Sequence, residues 1–232
     1  METQNTPRPA RKGRKGTVVA GVVAAVVVVA AVGLFVWHEQ PSFCAALCHT
    51  PMDAYYDSYA TGETDKYGME VQEADRASMT AYQHQVQAGT TCMGCHVPTL
   101  SEQIGEGLAW VAGDYEVAGD NLKGQAILST RSLSQLTEAR GAEGNDFCMN
   151  GDCHDLTQEE LEAATADLGP RNPHSFAHGE IACGDCHKAH SRSVNKCGEC
   201  HGDAALPDGW LAPQAANAMA AGAMAAANSA EA

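Results

Sequence analysis

The chain has 232 residues, with 29 acidic against 14 basic side chains, a formal net charge of −15, ten cysteines and ten histidines. Such an acidic polypeptide repels phosphate backbones, which excludes a nucleic-acid-binding role. Outside one N-terminal run it is also poor in large apolar side chains, so it is ill equipped to bury a core from its own residues.

Residues 1–16 form a basic N-terminus with Arg8, Arg11, Lys12, Arg14 and Lys15. The 21 residues Thr17 to Trp37 that follow carry no charge, enough to cross a bilayer as one helix. By the positive-inside rule the N-terminus is expected in the cytoplasm and the rest on the outer face of the cell membrane, as a single-pass protein. The run is longer than a signal-peptide core and no good Ala-x-Ala site follows, so a retained anchor is expected rather than a cleaved leader. Five of the 14 basic residues and one of the 29 acidic ones precede or lie within this part, leaving a charge of −19 from His38 onward. A partner with a basic face would complement that surface.

The remaining elements are short. Glu70 to Ala88 predicts a helix stopped by Gly89, with His84 in its last turn. Thr99 with Glu102 predicts a capping box for a helix running to Trp110, and Thr157 with Glu160 repeats the device before a helix ended by Gly169-Pro170. Gly113 to Glu143 is polar and lacks cysteine and histidine; after Trp210 the chain is low in complexity and predicts disorder. The expected organisation is therefore 1–16 cytoplasmic, 17–37 anchor, 38–125 and 146–205 as two cysteine-bearing segments, 126–145 a linker, and 206–232 a tail. The expected fold class is mainly α with much irregular structure and little or no sheet, consisting of one transmembrane helix and a domain packed around cofactors.

All ten cysteines fall in five close pairs, each followed by histidine: Cys44/Cys48/His49, Cys92/Cys95/His96, Cys148/Cys153/His154, Cys183/Cys186/His187 and Cys197/Cys200/His201. Cys-x-x-Cys-His is the attachment signal for haem c, in which two thiols form thioethers with the porphyrin and the histidine binds iron. The first pair is separated by three residues and the third by four, loops that still reach both vinyl groups. Structural zinc groups cysteines in fours, or in twos with two histidines. Neither zinc nor a disulfide framework requires a histidine after every pair. Five covalently bound haems are expected, forming a multihaem cytochrome c domain.

An iron has two axial positions, and five histidines remain: His38, His84, His174, His178 and His190. His190 lies three residues after His187, too close to reach the opposite face of the same porphyrin, so it is expected to serve a different haem and pin the two together. His174 and His178 are likewise expected to ligate different irons. His38 sits at the membrane edge, and Met52 competes with it for the first haem.

From Thr17 to about Gly113 the chain resembles the NapC/NirT/NrfH family of membrane-anchored multihaem quinol dehydrogenases, in its single N-terminal helix, FCAALCHTPM and HQVQAGTTCMGCHVP. The resemblance implies a first haem at the membrane surface that takes electrons from menaquinol, with Met52 as an iron ligand. The chain has one residue more in each gap of the first motif than that family, and Glu102 and Gln103 where the family tends to place a lysine. Asn172 to Gly202, NPHSFAHGEIACGDCHKAHSRSVNKCGECHG, resembles the tetrahaem domain of flavocytochrome fumarate reductases. There the haems feed an FAD domain on the same chain. No flavin domain follows here, so the resemblance implies a separate flavoprotein reductase as partner. The leading expectation is a pentahaem protein passing electrons from menaquinol to an extracytoplasmic reductase. A terminal reductase with one open haem iron and a haem store are the alternatives.

Overall fold

A computed structural model describes residues 14–47, 49–129, 135, 144–175 and 177–230. The described chain is mostly helical with much irregular structure, as expected. Helix α1 (Arg14–His38) is exposed along its apolar length. An all-round apolar helix of this length suits a membrane anchor or a signal sequence. A sharp turn after Trp37 leads to α2 (Pro41–Leu47), which carries Cys44. Trp37 and Phe43 meet edge to face at 5.2 Å, and the Trp37 indole N–H donates to Ser42 Oγ at 3.2 Å, so α2 is braced against the end of α1.

α3 (His49–Ala60) accepts Pro51 because the first helical turn has no amide bonds to lose. It buries Ala54, Ser58 and Tyr59 against α4 (Thr80–Ala88) and a two-stranded hairpin. In that hairpin β1 (Val117–Asp120) runs antiparallel to β2 (Ala126–Leu128), with Asp120 opposite Ala126. Asn121 closes the turn, its Oδ1 accepting from the amides of Lys123 and Gln125 at 2.9 Å each. Residues 126–128 thus belong to the first segment and not to a linker. Ile127 is buried, and the Tyr55 hydroxyl accepts from the Leu128 amide at 2.9 Å. The remainder of the expected linker falls largely outside the described residues.

The helix predicted over Glu70 to Ala88 is two pieces. A 3₁₀ stretch (Glu73–Ser78) leads into Met79, which is extended and fully buried, before α4 begins and ends at Gly89 in the left-handed region. The break releases the first amides of α4 to donate to Lys188 O at 2.9 Å and Ala189 O at 3.1 Å. Further stitches follow from the same strip: Lys66 N to His190 O at 2.7 Å, Ser193 N to Ser78 O at 3.1 Å, and Arg192 to Asp75 at 3.4 Å. Residues 188–194 are therefore laid across the first segment.

Two single turns, α5 (Cys92–Cys95) and, later, α8 (Cys183–Cys186), carry cysteine motifs. α6 (Leu100–Ala112) starts from the expected Thr99/Glu102 capping box, and α7 (Gln158–Ala164) from that of Thr157/Glu160. The tail expected to be disordered contains α9 (Pro213–Ala230). Alanine is the best helix former, Pro213 is tolerated at the first position, and the start of α9 rests on β1 and the 3₁₀ turn Lys196–Glu199.

Candidate haem-binding site

Four of the five motifs share one local geometry. The amide of the motif histidine donates to the carbonyl of the first cysteine: His96 to Cys92 at 2.8 Å, His154 to Cys148 at 3.1 Å, His187 to Cys183 at 2.8 Å and His201 to Cys197 at 2.9 Å. In α5 and α8 this closes a helical turn that puts the two thiols, three residues apart, on one face. The third motif makes the same closure with four residues between its cysteines. Asn150 supports the wider loop, its amide donating to Phe147 O at 2.6 Å.

Opposite each of these four motif histidines stands a second imidazole. Ring centroids are 6.3 Å apart for His96 and His190, 6.3 Å for His187 and His174, 5.9 Å for His201 and His178, and 5.8 Å for His154 and His84. A metal–imidazole bond of about 2 Å on either side of one metal ion places ring centres about 6 Å apart. The planes are 26°, 24° and 18° apart in the first three pairs and 85° apart in the last. Among the described residues no three His, Cys, Asp or Glu side chains converge as a tetrahedral metal site would require.

Three of the four second imidazoles are held through Nδ1. His190 Nδ1 is 2.9 Å from Ser58 Oγ, His174 Nδ1 is 3.0 Å from Thr165 Oγ1, and His84 Nδ1 donates to Thr80 O at 2.6 Å. Fixing Nδ1 leaves Nε2 to face a metal and sets the ring orientation. Burial lowers His190 to about 3 and His187 to about 4, so both rings are neutral, the form that binds iron. Trp210 packs edge to face on His187 at 5.0 Å and Tyr55 on His190 at 5.2 Å. No local sequence pattern marks Ser58, Thr165 or Trp210 as supports of these rings, since each meets its histidine only in the fold.

Thiols of successive motifs also meet. A hydrogen bond from Cys92 lowers Cys44 to about 7 and raises Cys92, and one from Cys148 lowers Cys183 to about 7 and raises Cys148. Cys95 lies near enough to Cys148, and Cys197 to Cys186, to act on their charge. Asn145, buried, fastens the third motif to the fourth: its Oδ1 accepts from Cys183 N at 2.7 Å and its amide donates to Ile181 O at 2.9 Å.

At the first motif, Cys44 is half-buried on α2, while Cys48 and the side chain of His49 lie outside the described residues. Met52 is half-buried in the first turn of α3. His38 packs on Phe43 at 5.0 Å with Nδ1 3.2 Å from Glu39 Oε1.

The family model described as cytochrome c3 matches residues 132–202, which hold the last three motifs. A known protein, the cytochrome c-type protein Cgr1 of Eggerthella lenta, is 48% identical over 215 residues, covering 91% of this chain and 94% of the relative. This chain belongs to the same family of c-type cytochromes. No solved structure gives a significant match. As a c-type cytochrome it is an electron-transfer protein carrying covalently bound haem c. The residues fit that group: paired thiols stand beside a histidine, with a second imidazole across a gap of one metal ion.

Proposed function

We propose that this cytochrome carries five haems and passes electrons from menaquinol to a separate reductase outside the cytoplasm, a flavoprotein carrying FAD. The observation that carries this reading is the set of four imidazole pairs at 5.8–6.3 Å, joined by motif-to-motif thiol contacts. When bound, haem c supplies a reversible one-electron iron couple.

The chain's own residues do the rest. Cys92 and Cys95, Cys148 and Cys153, Cys183 and Cys186, and Cys197 and Cys200 would attach four haems, whose irons would be held by His96 and His190, His154 and His84, His187 and His174, and His201 and His178. Cys44 and Cys48 would attach the first, with His49 and Met52. His190 follows the fourth motif and serves the second, and His84 precedes the second and serves the third. The His84 link braces the second centre to the third, and the His190 link ties the fourth motif back to the second. The hydrogen bonds of Cys44 with Cys92 and of Cys148 with Cys183, and the nearness of Cys95 to Cys148 and of Cys186 to Cys197, favour a relay in chain order.

α1 as a retained anchor would set the first motif at the outer surface of the cell membrane, in the manner of the NapC/NirT/NrfH family. Five residues separate His38 from Cys44, a reach of about 20 Å at most. Oxidation of one menaquinol to menaquinone releases two protons and two electrons, which the relay would deliver to the two-electron flavin of the partner. The acidic surface would favour a reductase with a basic docking face. Membranes holding the protein are mixed with a reduced menaquinol analogue while the haem absorption bands are followed. The ferrous spectrum is expected, and a spectrum that stays ferric would overturn the quinol reading.

A further inference from the structure

Helix α6 exposes Leu100 (72%), Ile104 (56%), Leu108 (66%) and Val111 (76%). At about 100° per residue these four fall within roughly 80° of the helix circumference. Glu102 and Glu106 lie on the opposite side, and half-buried Gln103 and Trp110 mark the side turned to the body of the protein. Thirteen residues are marginal as a helix in water, and Gly105 and Gly107 weaken this one further, so a surface is needed to hold it.

The position of α6 says which surface. α2 is braced on the end of α1 through Trp37 and Phe43, and Cys44 of α2 is hydrogen-bonded to Cys92 of α5. α6 leaves α5 after His96-Val97-Pro98, and so springs from the part of the body tied to the end of α1. Resting on the reading of α1 as a retained anchor, we propose that α6 lies in the lipid–water interface beside the exit of α1. Its Leu100, Ile104, Leu108 and Val111 face enters the acyl boundary, and Glu102 and Glu106 face water. No basic residue occurs between Leu100 and Ala112, so attachment is apolar and needs no anionic lipid. It holds a second stretch of the cytochrome flat on the bilayer and fixes the tilt of the domain, which a single helix with a short link does not.

The test uses the full haem-loaded chain in phosphatidylcholine vesicles containing a diazirine-bearing phosphatidylcholine, with labelled residues mapped by mass spectrometry after irradiation. Label is expected within 17–37 and on the apolar face of 100–111, unchanged at high salt. An Ile104→Glu/Leu108→Glu variant is expected to lower the α6 label by about tenfold while leaving that of 17–37 intact. Label in 17–37 with none in 100–111 overturns the proposal and leaves the anchor standing. Label in 100–111 that the double variant does not change also overturns it. Absence of label from 17–37 removes the anchor reading, and the proposal with it.

Discussion

Residues 49–129 and residues 144–212 are stabilised differently. The first region buries Ala54, Tyr59, Val71, Met79 and Ile127 together with hydrogen-bonded Ser58, Ser78 and Asn121, a small side-chain core under a hairpin. The second buries Phe147 and Cys186 among its described apolar residues, and its buried Asn145 and Ser193 bind neighbouring motifs or the first region. A stretch with so little apolar burial cannot offset the entropy of ordering its chain. Covalently attached haem would supply that ordering, much as a structural metal folds a small domain.

Breaking the attachment in the second region is therefore expected to have the largest effect. A Cys183→Ala/Cys186→Ala variant should make residues 144–212 readily proteolysed while a fragment spanning 49–129 resists. Equal resistance of both regions would show that the second does not depend on its haem. Met79→Ala in the first region removes a fully buried side chain and is expected to cost about 2–5 kcal/mol in urea unfolding of the loaded protein. Asn145→Ala leaves the Cys183 amide and the Ile181 carbonyl without their partner and is expected to cost about 1–3 kcal/mol, registered as earlier unfolding of the second region.

The smallest change compares two hydroxyls that do the same work on opposite sides of the divide. Ser58→Ala should shift the reduction potential of the His96/His190 centre alone, and Thr165→Ala that of the His187/His174 centre alone, in a spectroscopic redox titration. Identical titrations for both variants and the parent would show that these hydroxyls do not tune the irons.

The difference between the regions also decides what could be read from the sequence. Both capping boxes were legible because each device lies within four consecutive residues, and the motif cysteines and histidines because attachment chemistry fixes their spacing. The break at Met79 was not, since it depends on carbonyls of Lys188 and Ala189 more than a hundred residues away. The need for His190 to serve another motif followed from its distance to His187, yet its pairing with His96 required the fold. His84 and His154, 70 residues apart, are brought together by α4 and the third motif and by nothing local. Low complexity in the tail predicts disorder, whereas its alanine-rich sequence is strongly helical once one end is held.

Low-temperature electron paramagnetic resonance of the fully oxidised protein tests the paired-imidazole centres most directly. Parallel imidazole planes split the iron π-type d orbitals and give a rhombic low-spin signal, whereas crossed planes leave those orbitals nearly degenerate and give a strongly anisotropic one. Three rhombic low-spin signals are expected from the pairs at 18°, 24° and 26°, and one strongly anisotropic low-spin signal from His84 and His154 at 85°, besides that of the first centre. High-spin iron at more than one centre, or the absence of the anisotropic signal, would contradict it.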